Sequence, residues 1–330
     1  DLLSEVIEVN YVPVVWQGLL SAVTAGRGIS RQLQSQEVRG LSFINGMTLI
    51  ARMAKEDQRI QLQGHLKYWI QENPRIVTNL LDPTSKEPNY PFVKFYHEVM
   101  ADETVTPIRI TEQTYAMNRM AKFFHNREDY SFQISMYNQR ISNTEVGNNE
   151  NMKGFHLGDG WTVLNNSDLH QYLDDTWATI DWKRIPGTTV DTLSIDKLLN
   201  LGDTTSKENW VGGSVIDERY GAAGMILNKS NSIPGSKGIQ MDLTARKSWF
   251  TFDHEIVALG SGITSSQGRS VETIVENRKI TQDNRLVIDG REIAQGEGAL
   301  IDQPRYAHLS GSTPGSDLGY YFPSPAAVHI

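Results

Sequence analysis

Two arginines four residues apart stand in the run Gly26-Arg27-Gly28-Ile29-Ser30-Arg31. A guanidinium is a planar fork of donors that grips a carboxylate or sulfate through paired hydrogen bonds, and this spacing puts both forks on one face if the turn is helical. Gly26 and Gly28 each weaken a helix by about 1 kcal/mol relative to Ala, so backbone shape or close approach, not helix stability, accounts for them. A second run, from Glu145 through Val146, Gly147, Asn148, Asn149, Glu150, Asn151, Met152 and Lys153 to Gly154, crowds amides and carboxylates together. It is too polar for a core strand and suits a loop that holds polar ligand atoms. Together the two runs point to a polyanionic sugar.

The chain around them has 330 residues, 39% of them hydrophobic, and no apolar run near the roughly 20 residues of a membrane span. No membrane partner is expected. A formal charge of -8 argues against a nucleic-acid-wrapping surface, so an anionic ligand must be drawn in by a locally basic groove. The absence of cysteine excludes disulfides and thiolate zinc sites and leaves the compartment open. Asp1-Leu2-Leu3-Ser4-Glu5 opens at once into an amphipathic pattern without a targeting segment, as expected of an intracellular protein or of the interior of a longer precursor.

The elements that must position the two runs differ in texture. From Leu2 to about Asn73 apolar residues recur at helical spacing, as in Leu41, Ile44, Met47, Thr48 and Ala51, and again in Ile60, Leu62, Leu66 and Ile70. Pro13 is expected to kink or end a helix. The prolines at 83, 88 and 91, with Ser85, Lys86 and Asn89, break the periodicity and mark residues 83–111 as a linker draped over a surface. After Glu112 come short runs rich in β-branched and aromatic residues: Tyr130 to Tyr137, Trp161 to Leu164, Ser248 to Phe252, Glu255 to Leu259, Val271 to Glu276 and Leu286 to Ile288. They predict an antiparallel all-β sandwich, with Asp289-Gly290 as a hairpin turn.

At this point the residues resemble the polysaccharide lyases that include bacterial hyaluronate lyase, chondroitin AC lyase and xanthan lyase. Four blocks carry the resemblance: Gly26 to Arg31; Asn148 to Gly154; Ile185-Pro186-Gly187-Thr188-Thr189; and Ala245-Arg246-Lys247-Ser248-Trp249-Phe250 followed by Glu255 to Gly262. The resemblance implies an α+β multidomain protein: the C-terminal helices of an incomplete α/α toroid (residues 1–82), the linker, then an antiparallel β super-sandwich (112–330). It implies β-elimination of an acidic polysaccharide, of the hyaluronan or chondroitin type or xanthan-like, in a secreted enzyme. Arg27, Arg31 and Glu145 match catalytic positions, and Asn148, with both arginines, matches substrate-binding ones. Glu145 would orient an arginine or the catalytic tyrosine, and Asn148 would hydrogen-bond sugar. The family's Asn, Tyr and His for proton handling belong to a helical segment that would precede Asp1, so that segment is an expected partner and the isolated chain is expected to be inactive. No cofactor is implied.

Three positions depart from the family pattern. Ala25 stands where many members carry a further Arg, Leu33 where xanthan-type relatives carry Tyr, and Glu37 where several carry His. Other residues favour structural roles. Glu150 and Asn151 are expected to support their loop, as Asn143, Asn149 and Asn151 would by capping backbone groups. His156 reads as a surface histidine and Lys153 as a solvated lysine. Trp161, Trp177, Trp182, Trp210 and Trp249 are expected to fill the core or bridge loops. Asp181, Asp253 and Glu255 are the acids that could ligate a structural calcium ion, although no dense Asp-x-Asp-x-Asp loop exists. The alternatives to a lyase are a non-catalytic acidic-carbohydrate-binding protein and, ranked last, a hydrolase using Glu145 and Glu150 as its carboxylate pair.

Overall fold

The computed structural model describes residues 2–31, 35–80, 90–109, 112–172, 175–199, 201, 204–230 and 239–330. The first helix, α1 (Leu2–Val6), passes through a wide π-helical turn, Ile7–Tyr11, and tightens at Pro13 into the 3-10 turn Val12–Val14. Helical periodicity is lost from there to Arg31. The strands β1 (Val15–Trp16) and β2 (Leu19–Leu20) pair across Gln17 and Gly18, whose φ angles of 46° and 75° no α-helix accommodates. Two further 3-10 turns, Ala22–Thr24 and Gly26–Ser30, complete the segment.

Helix α2 (Gln36–Met53) starts at Ser35, whose hydroxyl accepts from the Val38 N–H at 3.3 Å, and buries the expected Ile44, Met47, Thr48 and Ala51. Helix α3 (Glu56–Glu72) buries Leu62, Leu66 and Ile70 against it, while Ile60 stays partly exposed. The expected surface linker is in part helix. Residues 81–89, 110 and 111, with most of its breakers, lie outside the described residues, but α4 (Arg75–Leu80) and α5 (Tyr90–Ala101) flank that gap. Pro91 falls in the first turn of α5, where a missing N–H costs nothing. Phe95, Tyr96 and Val99 then turn one face inward, and the Tyr96 hydroxyl donates to Asn45 Oδ1 at 2.8 Å.

The strands that follow are antiparallel. In chain order they are β3 (Gln113–Met117), β4 (Lys122–Asn126), β5 (Tyr130–Met136), β6 (Asp159–Asn166), β7 (Thr189–Asp191), β8 (Val211–Ile216), β9 (Tyr220–Asn228), β10 (Thr244–Thr251) and β11 (Ile256–Thr264). Then come β12 (Val271–Thr273), β13 (Leu286–Ile288), β14 (Arg291–Ile293), β15 (Leu300–Asp302), β16 (Tyr306–Leu309), β17 (Leu318–Tyr321) and β18 (Ala327–His329). They form sheets in the orders β3-β4-β5-β6, β11-β10-β9-β8 and β14-β13-β16-β17, with the pairs β7-β12 and β15-β18. Asp289 and Gly290, both at positive φ, make the expected hairpin turn between β13 and β14.

The β3–β6 sheet is covered on both faces, which is why β5 is buried at every position. Alternation along β4 sends Phe124 toward the helices, into a core with Leu66, Trp69, Trp161 and Val163, and Phe123 toward β9 and β10, among Ile134, Met225 and Trp249. Polar ties fix the turn that carries the arginines onto this sheet. Trp16 Nε1 donates to the Arg127 carbonyl at 2.9 Å, Ser21 Oγ to Gln133 Oε1 at 2.7 Å, and Asn126 Nδ2 to the Pro13 carbonyl at 3.0 Å.

Candidate active site: arginines and glutamates across the helical and sheet regions

The 3-10 turn Gly26–Ser30 meets the loop after β5. Gly26 has a φ of 55°, and a Cβ built there would lie 2.2 Å from Glu145 Oε2. Only glycine lets the carboxylate approach so closely, and the Arg27 backbone N–H then donates to that oxygen at 3.1 Å. Arg27 Nη1 donates to Glu145 Oε1 at 2.9 Å and Arg27 Nε to Glu150 Oε2 at 3.1 Å. Arg31 is an extended residue just beyond the turn, so the two guanidiniums do not share a helix face. They converge because Glu150 takes both: Arg31 Nε donates to its Oε1 at 2.7 Å and Arg31 Nη2 to its Oε2 at 2.8 Å.

The loop is shaped to deliver these carboxylates. Asn148 and Asn149, at φ 52° and 61°, turn the chain between Gly147 and Glu150, and the Glu150 N–H donates to the Gly147 carbonyl at 2.8 Å. Asn151 is buried, its amide donating to the Glu145 carbonyl at 2.8 Å and to Thr144 Oγ1 at 3.0 Å, while its own N–H donates to Ser30 Oγ at 2.9 Å. Asn148 and Asn149 stand exposed at the tip. The four charged side chains are part-exposed, from 27% at Glu150 to 48% at Glu145. The hydrogen bonds from Arg31, then its charge, hold the Glu150 carboxyl below the usual range, and the same contact raises the Arg31 guanidinium. Such a cluster can orient donors toward an anion, and a carboxyl held down as that of Glu150 is suits an ion-pair partner, whereas a general acid needs one pushed up. That counts against Glu150 as the acid of a hydrolase.

Residues 112–330 match the super-sandwich domain of polysaccharide lyase family 8, and residues 1–68 match that family's N-terminal α-helical domain. The chain belongs to polysaccharide lyase family 8. It is similar to a hyaluronate lyase of Enterococcus faecalis, 30% identical over 99% of this chain and 32% of that protein. It is likewise similar to a xanthan lyase of a Bacillus species, 32% identical over 96% of this chain and 33% of that protein. The solved Paenibacillus xanthan lyase superposes with a TM-score of 0.88 at 35% identity, over 99% of this chain and 30% of that one. A Streptomyces coelicolor chondroitin AC lyase does so with a TM-score of 0.75 at 29% identity, over 94% of this chain and 40% of that one. The helical domain followed by an antiparallel super-sandwich is therefore this chain's fold. The chain spans about a third of the length of the curated relatives it matches.

Within this family-8 chain His65, His125 and His156 have partners other than the cluster. His156, expected at the surface, is buried: Nδ1 lies 2.7 Å from Asp159 Oδ2, and Asp159 Oδ1 lies 2.5 Å from Lys229 Nζ. The short His-x-x-Asp spacing is the signal that sequence reasoning passed over. Lys229 also faces the rings of Phe155 and Tyr137 at 4.4 and 4.9 Å. Lys247, also buried, donates to the carbonyls of Asp159 and Gly187; burial pushes its ammonium down to about 7, against the pull of Asp159. His65 is buried against Glu8, and His125 between Thr114 and the Phe252 carbonyl, where burial pushes it down to about 4. Glu37 is buried beside Arg75 at 3.1 Å. Leu33 and the His170 side chain lie outside the described residues.

Trp161, Trp177, Trp182 and Trp249 are core residues, whereas Trp210 is 59% exposed and lays its ring edge over Gly224 of β9 outside the core. Lys153 is exposed. Asn143 is a buried bridge, accepting from the Thr204 N–H and donating to the Phe155 carbonyl. Asp181 and Asp253 are engaged by Arg184 and Arg219, and among the described residues no group of three or more acids or histidines could hold a metal ion.

Proposed function

We propose that this chain forms the arginine-bearing wall and sheet domain of a secreted polysaccharide lyase. It would act on an acidic polymer of the hyaluronan or chondroitin type, or one resembling xanthan, by β-elimination. In that reaction a base removes the proton α to the sugar's carboxyl group, the electron pair forms the new double bond, and the glycosidic oxygen leaves from the β carbon. Negative charge gathers on the carboxyl group as the proton departs. The observation that carries the reading is the Arg27–Arg31–Glu145–Glu150 cluster, in which two guanidiniums are fixed by carboxylates before any ligand arrives. Guanidiniums already held in place need little reorganisation when negative charge develops beside them. Asn148 is exposed at the tip of the same loop, which supports a contact with sugar hydroxyls.

The proton-transfer groups are assigned to polypeptide outside these residues, which would make the preceding helical segment of the same enzyme the natural partner. The structural engagement of His65, His125 and His156 supports that division. It also favours a second reading for the isolated chain, a module that holds acidic carbohydrate without cleaving it. Absorbance at the unsaturated-uronate band separates the two. Incubated with hyaluronan, chondroitin or xanthan, the chain alone should give no rise, and the chain with the helical segment of a relative should give one. Arg31→Ala should lower that rate by about 100-fold or more. Elimination by the isolated chain would overturn the division of labour, and polymer retained but uncleaved in both mixtures would select the binding module.

A further inference from the structure

We propose that Glu150 is a positioning and specificity-determining residue: it holds Arg31 in place and withholds positive charge from the ligand, biasing the site against sulfated sugars. This rests on the acidic-carbohydrate reading above. The two-point grip on Arg31, through Nε at 2.7 Å and Nη2 at 2.8 Å, uses one full edge of that guanidinium. The third bond, from Arg27 Nε at 3.1 Å, makes one carboxylate the hinge pin of both arginines. With Glu145 on Arg27 Nη1, two positive and two negative groups sum to a formal charge of zero.

A sugar bearing one carboxylate meets donors there without a strong local field. A sugar bearing a sulfate as well finds no net positive charge within the cluster to offset its second anion, on a chain whose formal charge is already -8. Ala25 adds no positive charge beside Arg27. The loop ensures that Glu150 cannot swing away without cost, because its neighbour Asn151 is buried and tied to Ser30, Thr144 and the Glu145 carbonyl.

Glu150→Gln keeps shape and removes one negative charge. In the variant the nuclear magnetic resonance signal of the Arg31 Nε–H, assigned through Arg31→Lys, should lose its protection from solvent exchange. An unchanged signal would overturn the positioning role whatever the ligand. Binding of hyaluronan and chondroitin sulfate oligosaccharides is then measured over a range of salt concentrations. The variant should bind the sulfated oligosaccharide roughly tenfold tighter, with a steeper salt dependence, and hyaluronan by a smaller factor. Equal gains, or none, in a chain that binds hyaluronan would overturn the specificity role while leaving the carbohydrate reading intact. Failure of both forms to bind either polymer would remove that reading and the specificity role with it, while the exchange result still decides the positioning role. In the assembled enzyme the same variant should lower kcat while lowering KM for the sulfated polymer, a split that mere unfolding does not produce.

Discussion

At the scale of single residues, two groups of charged side chains contrast in their exposure. The arginine–glutamate cluster is part-exposed and self-neutralised, whereas Lys247, Lys229, Asp159 and His156 are buried between β6, β9 and β10. Lys247 makes the second group a source of pH dependence. Its ammonium keeps its proton to about 10.4 in the unfolded chain, but burial lowers that to about 7 in the fold. Below 7 both states are protonated and the burial cost is felt in full. Above it the unfolded state holds more protons, so stability should rise between pH 7 and 9, by about 1.4 kcal/mol per pH unit at most from this residue. Urea unfolding across that range should show the rise, and Lys247→Met should make it shallower; parallel curves would mean that Lys247 stays charged throughout. The glycines singled out Arg27 and Arg31 in the sequence and the family resemblance singled out Glu145, and the structure brings the three side chains together. The full role of Glu150 was not legible there, because it depends on a partner 119 residues away and on a turn at two asparagines.

At the scale of elements, α2 shows how one substitution can take opposite signs. A Cβ at Gly40 would lie 1.9 Å from the Gly18 carbonyl oxygen, in the turn between β1 and β2, whereas a Cβ at Gly46 meets nothing within 4 Å. Gly46→Ala should stabilise by about 0.5–1 kcal/mol through helix propensity. Gly40→Ala must instead push α2 off the turn and should destabilise by about 2–3 kcal/mol, since a backbone carbonyl cannot rotate aside as a side chain can. Thermal melts of the two variants test the pair, and shifts of the same sign would show that α2 is not seated on the turn as described. Strands β5, β6, β10, β11, β12 and β13 were legible through their β-branched and aromatic runs, and α2 and α3 through their apolar stripes. Helix α5 was missed because Pro91 was counted as a breaker without regard to position, although Phe95, Tyr96 and Val99 already carried a helical spacing.

At the scale of the whole molecule, the helices and the first sheet are not separable by their packing. Ile44, Leu66, Trp69 and Tyr96 share one apolar core with Phe124, Trp161, Val163 and Ile185, and that sheet shares its other face with β9 and β10 through Phe123, Ile134 and Trp249. A sheet buried on both faces couples the layers on either side of it, because opening one exposes large side chains from both. The functional consequence is geometric. Arg27 and Arg31 come from the helical side and Glu145 and Glu150 from the sheet side, so the cluster persists only while the two keep their register. The helical ellipticity and the tryptophan fluorescence should therefore fall together in one urea transition. Arg31 Nε–H protection should disappear at the same midpoint. If the helical signal melted first while the fluorescence of the sheet core held, the shared core would be too loose to keep the arginines on their glutamates, and the cluster would be set by ligand binding and not by the fold.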